Sequence, residues 1–332
     1  MTRTTLLLTQ RDIARLVDLP EAIRVVREAF KAMARGETVM PPKIYLPLPH
    51  QSDFRAMPAY LTRPAACGVK WVNVHPHNRA KGLPTVMAII IINDPATGFP
   101  LAVMDGLLVT KLRTAAAGAV AAAALARRDS TTVGLIGCGA QADAQVLALA
   151  QVRSLERVKV WGPRPREAQR FCRQMRPRLR QTTFEPCAVI ERCVREVDLL
   201  VTITPSHRPL IKRQWVRPGT HINAIGADAP GKQELDPRIL REARVVVDER
   251  EQAIHAGELN VPIRRGQFSP RQIHASLGEV LIGRKTGRRS ARELTVFDST
   301  GLAIHDVALG AAIVRKASER GVGRQVTLFH PR

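Results

Sequence analysis

Residues 133–142 read Val-Gly-Leu-Ile-Gly-Cys-Gly-Ala-Gln-Ala, an apolar strand running straight into a Gly137-x-Gly139-x-x-Ala142 turn. Gly137 permits the tight turn, Gly139 lets the backbone approach a pyrophosphate, and Ala142 lets the next helix pack closely on the strand. The start of that helix then offers free N–H groups to phosphate oxygens. Such a pattern is weak in isolation. Here the pattern predicts strands at 132–136, 157–161, 199–203, 221–224, 244–247 and 295–298, with helices from Gln141 and Pro165. Strand–helix alternation of this kind marks a doubly wound α/β domain with a parallel sheet.

The end of the second strand bears on which dinucleotide fits. An NAD site carries Asp or Glu there to hold the ribose 2′-hydroxyl. Residues 162–166 are instead Gly-Pro-Arg-Pro-Arg. No acid repels a 2′-phosphate, and Arg164 can pair with one through a charge-assisted bond. The sequence therefore favours NADP(H). NAD(H) remains open, because Arg164 also reads as an ordinary surface arginine.

The rest of the chain is organised around this domain. Residues 8–35 carry a helical pattern, with Thr9 as a cap, Ile23, Val26, Ala29, Phe30 and Met33 at helix spacing, and Gly36 as the stop. Residues 40–50 are proline-rich and read as irregular. From Phe54 to Asp105 the pattern is β, broken by an Asp94-Pro-Ala-Thr-Gly turn, which predicts an antiparallel or mixed sheet. An alanine-rich helix over 110–128 carries the chain from one domain to the other. A last helix, about 303–320, returns to the first domain.

With 332 residues and 45% hydrophobic content, two domains can each bury a core. The most apolar run, 86–92, is well short of a bilayer span, and the start lacks a signal-peptide core. A soluble cytoplasmic protein with no membrane partner is expected. The five cysteines form no Cys-x-x-Cys pair, which argues against a disulfide framework or zinc. Lys+Arg outnumber Asp+Glu by 51 to 29, giving +22. The basic residues are dispersed, with Arg164, Arg166, Arg170, Arg173, Arg176, Arg178 and Arg180 on one expected helical stretch. Aromatics are only 4%, so there is no stacking platform for bases and no nucleic-acid partner is expected.

Several charged residues stand where chemistry is possible. Asp228 lies in Gly226-Ala-Asp-Ala-Pro-Gly231, where glycines let backbone approach a ligand and a shielded carboxylate suits proton transfer. Taken alone, it reads equally well as a turn cap. Lys232 follows closely. Lys70 sits in a strand among apolar neighbours and needs an anionic partner there. Arg113 opens the alanine helix as a planar fork suited to a carboxylate, and Arg55 lies on another strand. Each cation alone is more often a surface residue; in combination with Asp228 they suggest a pocket for an acid substrate. His75 and His77 lack ligand-spaced partners, so no metal site is expected.

Taken together, these segments resemble the ornithine cyclodeaminase/μ-crystallin family, and within it the archaeal-type alanine dehydrogenases. The resemblance is carried by Met40-Pro-Pro-Lys, Arg55-Ala-Met-Pro, Gly68-Val-Lys-Trp-Val-Asn, Lys81-Gly-Leu-Pro-Thr-Val, Leu112-Arg-Thr-Ala-Ala, Gly137-Cys-Gly-Ala-Gln, Phe297-Asp-Ser-Thr-Gly and the block from His221 to Leu235. It implies a Rossmann domain, 114–303, and an α+β substrate-binding and dimerisation domain formed from both chain ends, 1–113 with 304–332. It implies Lys70 and Arg113 on the substrate carboxylate, joined by Arg55, and Asp228 as acid/base, with Lys70 also polarising an oxo group. Thr85, Arg113, Thr114, Ala140, Gln141, Thr202, Asn223, Gly226, Lys232 and Ser299 become cofactor contacts beside Gly137, Gly139 and Arg164. Gly162 departs from members with Asp there.

The implied activity is NAD(P)-dependent interconversion of L-alanine, or a similar small amino acid, with its 2-oxo acid in a homodimer. Ornithine cyclodeaminase, imine or ketimine reductase, and μ-crystallin-like NADPH binding are the alternatives. Arg55 disfavours a diamino acid, because a second ammonium about 4 Å away would cost up to ~4 kcal/mol at an effective dielectric near 20.

Overall fold

The computed structural model describes residues 3–50 and 52–329. The chain forms two compact units, residues 1–113 with 302–332, and residues 114–301. The extreme terminal residues of the first unit fall outside the described residues.

The first unit begins with β1 (Thr5–Leu8), α1 (Gln10–Leu16) and α2 (Leu19–Ala34). The single helical pattern expected over 8–35 is thus two helices preceded by a strand. Val17 is extended, Asp18 accepts a hydrogen bond from the Glu21 amide at 2.9 Å, and Pro20 sits in the first turn of α2, so a new helix starts there. β2 (Thr38–Val39), β3 (Ile44–Leu48), β4 (Ser52–Thr62), β5 (Ala65–Val74), β6 (Val86–Asn93) and β7 (Pro100–Asp105) follow. The stretch read as irregular contains β3, which pairs antiparallel with β4 alone. Pro47 is compatible with that edge position. The sheet order is β16-β1-β7-β6-β5-β4-β2, where β16 is Arg324–Val326. β1 and β7 are parallel and the other pairs antiparallel, so the sheet is mixed.

Alternation sorts this sheet into two faces. Met57, Lys70, Ile90 and Met104 are cross-strand neighbours, all 3% exposed or less. The next row, Ile44, Ala56, Trp71 and Ile89, points the other way, with Ile44, Trp71 and Ile89 exposed. α11 (Ala303–Arg320) packs on the buried face. A Cβ at Gly310 would lie 2.8 Å from Ile92 Cδ1, so the helix approaches the sheet closely there.

α3 (Gly106–Leu125) is the alanine-rich helix, and the boundary between the units falls within it, after Arg113. It starts earlier than the expected residue 110 because Asp105 accepts from the Leu108 amide and anchors the first turn. By length and composition alone it would span a bilayer, but Ala115–Ala117 and Ala119–Ala122 are buried in protein.

The second unit runs β8 (Thr132–Ile136), α4 (Ala142–Ala150), β9 (Arg157–Trp161), α5 (Pro165–Met175), β10 (Thr183–Pro186), α6 (Ile190–Val194), β11 (Leu199–Thr202), β12 (His221–Ala224), α7 (Pro237–Glu242), β13 (Arg244–Val247), α8 (Arg250–Ala256), α9 (Asn260–Arg264), β14 (Ile273–Ser276), α10 (Leu277–Leu281) and β15 (Thr295–Asp298). The sheet order is β10-β9-β8-β11-β12-β15-β13-β14, every pair parallel. This is the Rossmann arrangement, and the strand order reverses between β8 and β11. The short strands β10 and β14 were not foreseen. α5 ends before Pro177, leaving Arg178 and Arg180 beyond it, because proline has no N–H with which to continue the helix.

Candidate active site

In the second unit, the glycine turn lies at the switch point. Gly137 follows β8 directly, has φ +107°, and donates to the Trp161 carbonyl at 2.9 Å. A Cβ there would lie 2.7 Å from the Ile203 carbonyl oxygen, so only glycine fits between the ends of β9 and β11. Nothing lies within 4 Å of a Cβ built at Gly139, and Gly139 and Ala140 are exposed. The turn is therefore open on the side a pyrophosphate approaches. Gln141 is the N-cap residue of α4, and its buried Oε1 has no hydrogen-bond partner. An open glycine cradle and an orphaned polar atom fit a dinucleotide.

The other expected cofactor contacts are distributed unevenly. Thr202 ends β11 beside Ile136, and Ser299 follows β15 with its amide on the Ala224 carbonyl. Asn223 is committed to the protein. Its Oδ1 lies 3.0 Å from His221 Nε2, its Nδ2 donates to Gly118 O at 3.0 Å, and it is 1% exposed. Burial holds His221 down to about 3, so the ring is neutral and serves as a scaffold. Thr114 gives its carbonyl to Gln145 Nε2. Thr85, in the first unit, precedes β6 and accepts from the His75 amide. Arg164 is exposed and paired with Glu167, one helical turn on.

The loop after β12 carries Asp228. Lys232 Nζ donates to Asp228 Oδ1 at 2.5 Å, and the Asp228 side chain is 39% exposed. The sequence suggested a shielded carboxylate; the structure gives an accessible, ion-paired one. What holds the loop was not foreseen. Glu234 Oε1 accepts from the Thr204 amide and hydroxyl, both at 2.7 Å, and Oε2 accepts from the Gly226 amide at 2.9 Å. Gly226 is glycine for space, since a Cβ would collide with Thr204 O and Glu234 Oε2. Glu258 in turn accepts from the Glu234 and Leu235 amides, and Asp298 from the Glu258 and Leu259 amides. Burial pushes Glu234 up to about 7 and Glu258 well above the usual carboxylate range.

In the first unit, Lys70 has the anionic partner its position demands. Lys70 Nζ donates to Asp306 Oδ2 at 2.7 Å, and Arg113 Nε donates to Asp306 Oδ1 at 3.0 Å. Asp306 lies in the first turn of α11, where an acid is favoured, and four residues before Gly310, so both share the face that meets the sheet. Burial, then Arg113, lowers Lys70 to about 7, against the opposing pull of Asp306. Burial pushes Asp306 up, but Arg113 and Lys70 outweigh it and hold the carboxyl below its ordinary range. Among the described residues, the terminal nitrogens of Arg113 have no hydrogen-bond partner, so its fork stays available. With Lys70 protonated, two cations against one carboxylate leave the cluster one positive charge.

Arg55 already has a carboxylate partner in the protein. It faces the same side of the sheet as Lys70, but its Nε and Nη2 each donate to Asp53 at 2.9 Å, and its guanidinium lies over Tyr45. The sequence missed Asp306, although the buried lysine called for such a group. It also missed His305, which is buried against Phe30, has no hydrogen bond to either ring nitrogen among the described residues, and which burial lowers to about 3.

Comparison with known proteins agrees with this architecture. Alanine dehydrogenase of Archaeoglobus fulgidus is 49% identical over 98% of this chain and 99% of its own length. A solved archaeal alanine dehydrogenase dimer with bound NAD superposes with a TM-score of 0.94 at 48% identity, covering 98% of this chain and 100% of the other. The Thermococcus litoralis Δ1-pyrroline-2-carboxylate reductase, solved with NADH and L-proline, also reaches 0.94, at 37% identity over 97% and 100% of the two chains. A profile of the ornithine cyclodeaminase/mu-crystallin family matches residues 3–321, and the chain belongs to that family.

Proposed function

We propose that this protein is an NAD(P)-dependent amino-acid dehydrogenase that oxidises L-alanine, or a similarly small amino acid, to its 2-oxo acid and ammonia, and runs the reverse amination. The observation that carries the reading is the Lys70–Asp306–Arg113 cluster, whose surplus positive charge and unused guanidinium fork match one monocarboxylate. Similarity to alanine dehydrogenases over nearly the full chain supports it.

Lys70 and Arg113 hold the substrate carboxylate and thereby fix Cα. The bound dinucleotide supplies the hydride acceptor for the Cα hydrogen. Water adds to the resulting iminium carbon, and Asp228 takes the proton that water gives up, with Lys232 holding the Asp228 side chain in place. Asp228 returns that proton to the nitrogen and takes the carbinol O–H proton as the C–N bond breaks and the C=O bond forms; the substrate ammonium loses its own extra proton to solvent before the hydride leaves. In the amination direction Lys70, as the ammonium, polarises the oxo group. Gly137, Gly139, Gln141 and the N-terminus of α4 hold the pyrophosphate.

NADP(H) is the preferred cofactor in this reading, because no acid follows β9 and Arg164 is exposed there. The Arg164–Glu167 pair does not oppose this, since an exposed pair of this kind is weak and can exchange for a phosphate dianion. The assembly is a homodimer through the exposed row of Ile44, Trp71 and Ile89, apolar side chains on one sheet face that a second copy would cover.

An assay with NADPH or NADH, ammonia and pyruvate tests the activity. Cofactor oxidation that needs both ammonia and pyruvate supports it. Proline from ornithine with no net reduction, or reduction of a cyclic imine carboxylate with no response to pyruvate, replaces it with a cyclodeaminase or an imine reductase.

A further inference from the structure

The strand end that discriminates between dinucleotides is shaped by a residue from another segment. Gly162 directly follows Trp161 and is buried. A Cβ built at Gly162 would lie 2.5 Å from Cys138 Sγ, while the next neighbours, Glu167 Cβ and the Ala168 amide, stand off at 3.6 and 3.7 Å. The thiol therefore fills the space where the Cβ of a side chain at 162 would sit, and the next-nearest atoms would admit that Cβ. Cys138 is the residue between the two glycines of the cofactor turn. Burial pushes its thiol up, so it stays neutral, a small apolar plug with no charge to offer.

A carboxylate at the end of the second strand selects for the ribose 2′-hydroxyl and repels a 2′-phosphate. Sulfur and the Cβ of any side chain at 162 compete here for one volume. We infer that Cys138 and Gly162 act as a pair that sets cofactor selectivity: Cys138 Sγ takes the place of the Cβ that would carry a ribose-binding carboxylate, so no further acid is added beside the exposed Arg164–Glu167 pair, into which a 2′-phosphate can exchange. The direction of selectivity rests on the NADP(H) reading above; the coupling between the two positions does not.

The test is fluorescence titration of NADPH and NADH, without substrate, into the full-length protein and its Cys138→Ala, Gly162→Asp and Cys138→Ala/Gly162→Asp variants. The pair predicts that Gly162→Asp alone weakens both cofactors, because the new side chain is displaced by sulfur. It predicts that the double variant regains NADH and discriminates against NADPH. The double variant's NADH affinity should exceed the product of the single effects by about tenfold or more, the signature of positions in contact. Gly162→Asp converting to NADH as fully as the double variant, or additive effects, overturns the pair. Should Gly162→Asp fail to fold, Gly162→Ala with and without Cys138→Ala poses the same steric question. A parent protein that prefers NADH while the coupling persists overturns the NADP(H) reading and leaves the pair standing. NADPH preference with additive effects does the reverse.

Discussion

Asp306 sets one carboxylate between two cations, and Asp306 and Lys70 are all but inaccessible to solvent. Removing its charge leaves Lys70 and Arg113 facing each other, so Asp306→Asn should destabilise the fold by about 3–5 kcal/mol, the usual cost of stripping one member from a buried ion pair. Lys70 can escape that repulsion by losing its proton. The deficit, measured by urea unfolding, should therefore be larger at pH 6 than at pH 8.5; equal deficits would mean the charges do not couple. Substrate binding has the opposite sense. The carboxylate needs Lys70 as the ammonium, which is held down to about 7 in the free protein. Affinity for a 2-oxo acid should be flat below that pH and weaken as pH rises through it. Lys70→Arg, which keeps its proton, should abolish the dependence. Asp228→Asn should eliminate turnover while dinucleotide titration is unchanged; retained turnover removes Asp228 from the chemistry.

At the level of elements, the loop after β12 is held by carboxylates on backbone amides in a relay from Asp298 through Glu258 to Glu234. Glu234→Gln turns one acceptor into a donor facing either the Thr204 or the Gly226 amide. Turnover should fall by about tenfold to a hundredfold, the scale of a misplacement near 1 Å. Dinucleotide affinity should suffer less, and full activity would show that Glu234 does not position the loop.

None of this relay was legible beforehand, because a glutamate in a loop carries no periodicity. The strands and the glycine turn of the second unit were legible, because apolar runs bounded by glycine read directly. The division at Asp18 was not, since a single helical spacing continues through it. β3 was hidden by its prolines. Among site residues, Lys70 announced its need for an anion, but the partner lies 236 residues away, a distance only the fold closes. Arg55 looked like a carboxylate ligand until Asp53, two residues before it on the same strand face, was seen to occupy its fork.

For the molecule as a whole, the mixed sheet buries one face beneath α11 and leaves Trp71 and Ile89 exposed on the other. A dimer through that face predicts that Trp71→Asp halves the mass seen by light scattering after gel filtration. An unchanged mass would place the interface elsewhere. The central claim is that a cluster with one surplus positive charge receives the carboxylate of a small amino acid for oxidation. The most direct measurement follows cofactor reduction with L-alanine in the parent protein and in Arg113→Met. We expect alanine-dependent reduction, with the variant's KM for alanine raised about tenfold to a hundredfold by loss of a charge-assisted contact. No reduction with alanine in the parent, or an unchanged KM in the variant, would contradict the account.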